Sequence, residues 1–125
     1  MVVSFKLAAM DDEQFLSGLE ACTLPPEHFN HAGHLRLACL YLARYPLDEA
    51  IARTCSTIRA CATHFGAANK FHATITVALV RLLHAHGPAA LADAHAVLAL
   101  HYSPALLTAP NARAAFAPPD LAPLP

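Results

Sequence analysis

No stretch of this 125-residue sequence approaches the ~18 consecutive apolar residues of a membrane-spanning helix, because Arg, His, Asp or Thr interrupts every apolar run. Charge is scarce as well: Asp, Glu, Lys and Arg make up 14% of the residues, against 56% hydrophobic ones. A chain this apolar and this poor in charge buries a core and does not stay disordered. Eight Lys and Arg face nine Asp and Glu, a formal charge of -1, and no basic cluster stands out. That balance offers no electrostatic footprint for nucleic acid and nothing to seek an anionic membrane. Strand signals are nearly missing; only Val2-Val3-Ser4-Phe5 reads as weakly extended. There is no G-x-S-x-G elbow, no G-x-G-x-x-G and no phosphate-cradling glycine loop.

Cys22, Cys39, Cys55 and Cys61 form no C-x-x-C pair and no zinc-finger spacing. Cys39, Cys55 and Cys61 sit within helical apolar patterns, where a free cysteine acts as a small hydrophobe. The apolar start of the chain is short and soon meets Asp11-Asp12-Glu13, unlike a secretory signal. A reduced, cytoplasmic protein is the expectation.

What is present in quantity is helix-forming sequence. Alanine is the commonest residue and leucine follows. Asp11 with Gln14 makes a capping pair for a first helix running to about Ala21, before Thr23-Leu24-Pro25-Pro26 breaks it. Asn30 is an N-cap for a second helix that runs to Tyr45 and stops at Pro46. Pro46 opens a third, closed by Gly66, with Ile51, Cys55, Ile58, Ala62 and Phe65 on one stripe and Arg53, Ser56, Arg59 and Thr63 opposite. Asn69 opens a fourth from Lys70 to about His86, ended by Gly87-Pro88; a fifth follows from about Ala89 to His101. Beyond Tyr102 lie six of the ten prolines and one short helical chance, Asn111 to Phe116. The pattern predicts an all-α, single-domain antiparallel bundle of four or five helices. Residues 1–10 form an N-terminal extension, and a Pro-rich C-terminal tail, residues 117–125, packs over the bundle. The second and fourth helices, apolar on most sides, should be central, and the amphipathic third peripheral.

Histidine is the one excess: nine residues, more than all the arginines. His31 and His34, at i and i+3, share a face of the second helix that continues into its apolar stripe. His72 heads a line through Thr76, Leu79 and Leu83 on the fourth. Alternate helices of an up-down bundle run parallel, so these N-terminal ends meet at one end of the molecule and the three histidines converge. A helix N-terminus disfavours imidazolium, and neutral imidazole is the metal-binding form. Three histidines and a water form one standard catalytic zinc arrangement; Glu27 or Glu20 could join as the acid. Without metal the same rings could act as general acid and base. Asn30, Lys70, Thr74 and Thr76 are candidate supports around them. The competing reading is structural: H-x-x-H arises by chance in so histidine-rich a chain, and each ring could simply bond a nearby carbonyl. His28 reads as outer or solvent-facing, and His64, His84, His86 and His101 suit helix C-termini. His95 reads as a core or interface residue, Tyr41 and Tyr45 as core rims. A di-iron oxygenase is disfavoured, because E-x-x-H does not occur twice.

Across roughly Phe15 to Pro125 the sequence resembles a family of small bacterial all-helical proteins of uncharacterised activity. The resemblance rests on Thr23-Leu24-Pro25, Phe29-x-His31-x-x-His34-Leu35 with Ala38, and Lys70-Phe71-His72-x-Thr74-x-Thr76. It continues in Tyr102-Ser103, Ala112-Arg113 and the closing Pro119-Asp120-Leu121-x-Pro123-Leu124-Pro125. It implies a helical fold and a tail folded back, with Arg113 and Asp120 able to pair, but brings no activity or cofactor. An acid commonly follows the third histidine in that pattern; here Ala73 takes its place.

Two functional expectations follow. The first is a site of His31, His34, His72 and Glu27 binding one divalent transition metal (zinc, iron or nickel), with His31, His34 and His72 performing a lytic or hydrolytic reaction on a small molecule. The second is a non-enzymatic helical module that binds a ligand or partner, its histidines structural. Neither involves nucleic acid or a membrane, and a homo-oligomer is compatible with both.

Overall fold

The computed structural model describes residues 10–125, so the weakly extended Val2–Phe5 lies outside the described residues. Among these the fold is all-α: α1 (Asp12–Glu20), α2 (His31–Arg44), α3 (Leu47–His64), α4 (Ala73–His86), α5 (Ala94–Ala99), α6 (Pro104–Leu107) and α7 (Pro110–Ala114). Short 3-10 turns stand at Pro26–His28, Ala68–Lys70 and Pro88–Leu91. No described helix is long and apolar enough to cross a membrane.

Each long helix starts and stops where its local chemistry dictates. The Asp11 carboxylate accepts the Gln14 amide at 2.8 Å, and Gln14 returns the bond to the Asp11 amide, closing a capping box on α1. The Asn30 side chain accepts the Gly33 amide at 2.8 Å and opens α2. Gly66 and Gly87, both at positive φ, follow the ends of α3 and α4. The expected fifth helix is divided. A 3-10 turn ends at Leu91, and Asp93 starts α5 afresh by accepting the Ala96 amide.

α3 packs against α1, α2 and α4, and α4, central as expected, packs against α2, α3, α5 and α7. The expected stripe of α3 is corrected only in part: Ile58 and Ala62 are buried, and Arg53, Ser56, Arg59 and Thr63 are exposed as expected. The residues it buries are Ala50, Thr54, Ile58, Cys61 and Ala62, while Ile51 and Cys55 are only half-buried. The face is turned because Thr54, polar in sequence, hands its hydroxyl to the Ala50 carbonyl at 2.7 Å and enters the core as a near-hydrophobe. Phe15, Leu16 and Leu19 of α1 meet Leu37 and Tyr41 of α2 and Ile58 and Cys61 of α3 in one cluster. A second cluster joins Ala38 to Val80, Leu82, Leu83 and Leu91. Tyr41 is a core residue, not a rim: it is 1% exposed, and its hydroxyl donates to Glu20 at 2.7 Å beside Thr57 at 2.8 Å. Burial pushes that phenol up to about 12.

The C-terminal stretch is bonded to the bundle at several points. The Thr74 hydroxyl donates to the Ala115 carbonyl and accepts the Ala117 amide. Tyr102 donates to the Ala117 carbonyl at 2.7 Å, and Asp120 receives both the amide and the hydroxyl of Ser103. Those two Ser103 bonds hold the Asp120 carboxyl below its ordinary range. The imagined Arg113–Asp120 pair does not form. Arg113 instead reaches back to the carbonyls of Asn69 and Phe71.

Candidate functional site

Because α2 and α4 start at the same end of the bundle, their N-terminal turns enclose a cavity of about 310 Å³. That lies at the small end of ligand cavities. His31, His34 and His72 all line it, with Asn30, Lys70 and Thr76. The rest of the lining is mainly apolar: Leu35 and Ala38 from α2, Ile58 from α3, Phe71, and Ile75, Leu79 and Val80 from α4. Thr54, which sequence reasoning passed over, supplies part of the α3 wall. Its signal was the i, i+4 series Ala50, Thr54, Ile58, hidden by its hydroxyl.

Gly33 makes the turn that presents His31 and His34. A Cβ there would sit 2.0 Å from the His28 carbonyl oxygen, so only glycine lets the preceding 3-10 turn lie against α2. Within that turn His34 meets the Phe29 ring edge-on, with centroids 4.6 Å apart. Its Nε2 is buried and has no hydrogen-bond partner among the described residues, and the same holds for His28 Nε2. Burial, with the neighbouring His31 adding to it, lowers the His34 pKa to about 4. The ring is neutral at physiological pH. A general base works best when its pKa is near the working pH, so His34 is a weak base here. His31 is exposed at the mouth, and one long contact of 3.4 Å joins its Nε2 to the Leu91 carbonyl.

His72 has a different job. It is not a face residue of α4 but its N-cap: Nδ1 accepts the Ile75 amide at 3.2 Å. Nδ1 therefore carries no proton, and Nε2–H donates to the Leu107 carbonyl at 2.7 Å. Neutral imidazole binds a metal through its one lone pair, which His72 already spends on Ile75. Thr76 donates to the His72 carbonyl at 2.8 Å, steadying the same turn from the cavity side.

The other candidates fall away from the cavity. Glu27 is exposed and outside the lining, Glu20 serves Tyr41, and Thr74 holds the C-terminal stretch. Ala73, where the resembled pattern carries an acid, is 7% exposed within the core. His95, expected in a core or interface, is exposed. Among the described residues no group of three or more His, Cys, Asp or Glu side chains is placed to hold a metal ion.

Compared with protein-family models, curated proteins and solved structures, the chain matches none. Its chemistry therefore has to be argued from the cavity itself.

Proposed function

We infer that the cavity binds a small molecule with an apolar body and an anionic end. One observation carries this reading: the walls are mainly apolar, Lys70 and the histidines stand with them, and the lining contains no carboxylate. The N-terminal ends of α2 and α4 add partial positive charge at the same place. Lys70 forms no ion pair among the described residues, leaving its ammonium for a ligand. A pocket of this kind gains affinity from its apolar area and orientation from its few polar groups. Binding is preferred to hydrolysis because the lining offers no carboxylate as general acid or base and its His34 is a weak base.

A second reading is a divalent transition metal (zinc, iron or nickel) held by His31 and His34, favoured by the unpartnered Nε2 of His34. His72 would join only by giving up its bond from Ile75.

Calorimetry with octanoate and 1-octanol tests the first reading. Octanoate should bind about tenfold more tightly, since a charge-assisted bond to Lys70 contributes about 1.5 kcal/mol or more. Lys70→Gln should erase that preference, and Leu79→Trp should fill the cavity and abolish both. Equal affinity for the two ligands, or none for either, overturns it. Stoichiometric zinc uptake that survives Leu79→Trp but not His34→Ala would select the second reading.

A further inference from the structure

At the far end of α1 two thiols face each other. Cys22 Sγ and Cys61 Sγ are 3.5 Å apart, bridging residues 39 positions apart in the chain. Both are free, Cys61 fully buried on α3 and Cys22 half-exposed. Sulfurs at this distance need only a small approach to bond at about 2.05 Å. Cys22 also occupies a conformation that does not suit its residue type. It is the one described non-glycine residue at positive φ, 57°. Its amide bonds to the Leu19 carbonyl and the Thr23 amide to the Gly18 carbonyl, the paired bonds that end a helix through a left-handed residue, normally glycine. A cysteine standing at positive φ, where glycine fits better, beside a second thiol points to use of the pair.

We propose that Cys22 and Cys61 are a redox-modification site, closed reversibly by a low-molecular-weight disulfide such as oxidised glutathione. The half-exposed Cys22 reacts first. Its thiolate attacks one sulfur of the reagent, forming a mixed disulfide and releasing one reduced thiol. The Cys61 S–H, which donates to the Leu19 carbonyl at 3.1 Å, then gives up its proton, and its sulfur attacks Cys22 Sγ. The second reagent thiol leaves carrying that proton. The protein loses two electrons and two hydrogens, and the reagent gains both. The product joins the end of α1 to α3 across the cluster that contains Leu19 and Phe71. Burial raises the Cys61 thiol to about 12, so an outside reagent finds it protonated and out of reach and meets Cys22 first. Cys39 and Cys55 have no such neighbour among the described residues, so the reaction selects one pair out of the four cysteines.

The test uses the whole native chain, reduced and then equilibrated in glutathione buffers of increasing oxidised fraction, with acid quenching and alkylation. Each cysteine lies in its own tryptic peptide, so linkage is read directly by mass. Free thiols should fall from four to two, with peptide 7–36 joined to peptide 60–70 and dithiothreitol restoring both. The oxidised chain should melt higher than the reduced one. Cys22→Gly should melt higher than the reduced wild type and form no link. Four thiols persisting at the most oxidising ratio, a mixed disulfide stranded on Cys22, or a link through Cys39 or Cys55 would each overturn the proposal. The wild-type result decides alone if a variant fails to fold.

Discussion

The Nε2–H of His72 donates to the carbonyl oxygen of Leu107 across 2.7 Å, tying the start of α4 to the end of α6. With Nδ1 capping its own helix, the ring is held at both nitrogens. His72→Ala should therefore cost about 2 kcal/mol or more, from a lost cap and a stranded carbonyl, lowering the melting temperature by roughly 8 °C. His72→Asn should recover the cap but not the bond to Leu107. His31→Ala should melt within a degree or two of the wild type, since its ring is exposed. Three histidines that line one cavity thus separate by thermal melts; equal losses for His31→Ala and His72→Ala would contradict the assignment.

His34 predicts a pH dependence of stability. Its folded pKa of about 4 lies below the ordinary 6.5, so between those values the unfolded chain binds the extra proton. Stability contributed by the neutral buried ring is complete above pH 6.5 and falls as pH drops towards 4. The loss is on the order of 3 kcal/mol. Urea denaturation at pH 7 and pH 4.5 measures it. His34→Leu should flatten the slope, and an unchanged slope in that variant would exclude His34 as its source.

Gly33→Ala should destabilise the protein by about 1–3 kcal/mol, because the new methyl group meets a backbone oxygen that cannot swing aside like a side chain. Any octanoate affinity should fall with it, as the α2 turn carrying His31 and His34 shifts. An alanine variant with wild-type melting and binding would show the turn to be more pliant than its geometry implies.

Removing residues 117–125 should lower stability, chiefly through polar contacts. Phe116 and Leu121 are 39% and 59% exposed, so the apolar burial that the sequence invites there is mostly absent; Leu124 packs against the core. Lost instead are the bonds of Ala117 to Thr74 and Tyr102 and of Asp120 to Ser103. The two Ala117 bonds are worth about 1 kcal/mol each, more where a buried partner is stranded. Thr74→Val, which keeps the shape but not the bonds, should reproduce a good part of the loss. A truncated chain with unchanged melting would show these bonds to contribute nothing.

How far the sequence could be read depends on whether a signal was local. Asp11, Asn30, Gly66 and Gly87 mark helix ends through their own backbone chemistry, and the structure places those ends accordingly. The parallel starts of α2 and α4 followed from connectivity, and with them the shared cavity of His31, His34 and His72. His72 was misplaced because histidine is an uncommon cap, and its second partner, Leu107, is distant in sequence. Part of the α3 face was misjudged because a threonine bonded to its own helix looks polar in sequence and is apolar in effect. Arg113 was paired with the wrong group since backbone carbonyls, unlike carboxylates, leave no mark in a sequence.

Leu107 is also synthesised 35 residues after His72. At about 5–20 residues per second a ribosome delivers it roughly 2–7 s later. During that interval the His72 ring lacks its acceptor, and Thr74 waits longer still for Ala115 and Ala117. A nascent chain therefore holds both rows of cavity residues, from α2 and α4, before it holds what fixes them. In the same interval Ala78 waits for Leu98 and Tyr102, the later partners of its buried cluster.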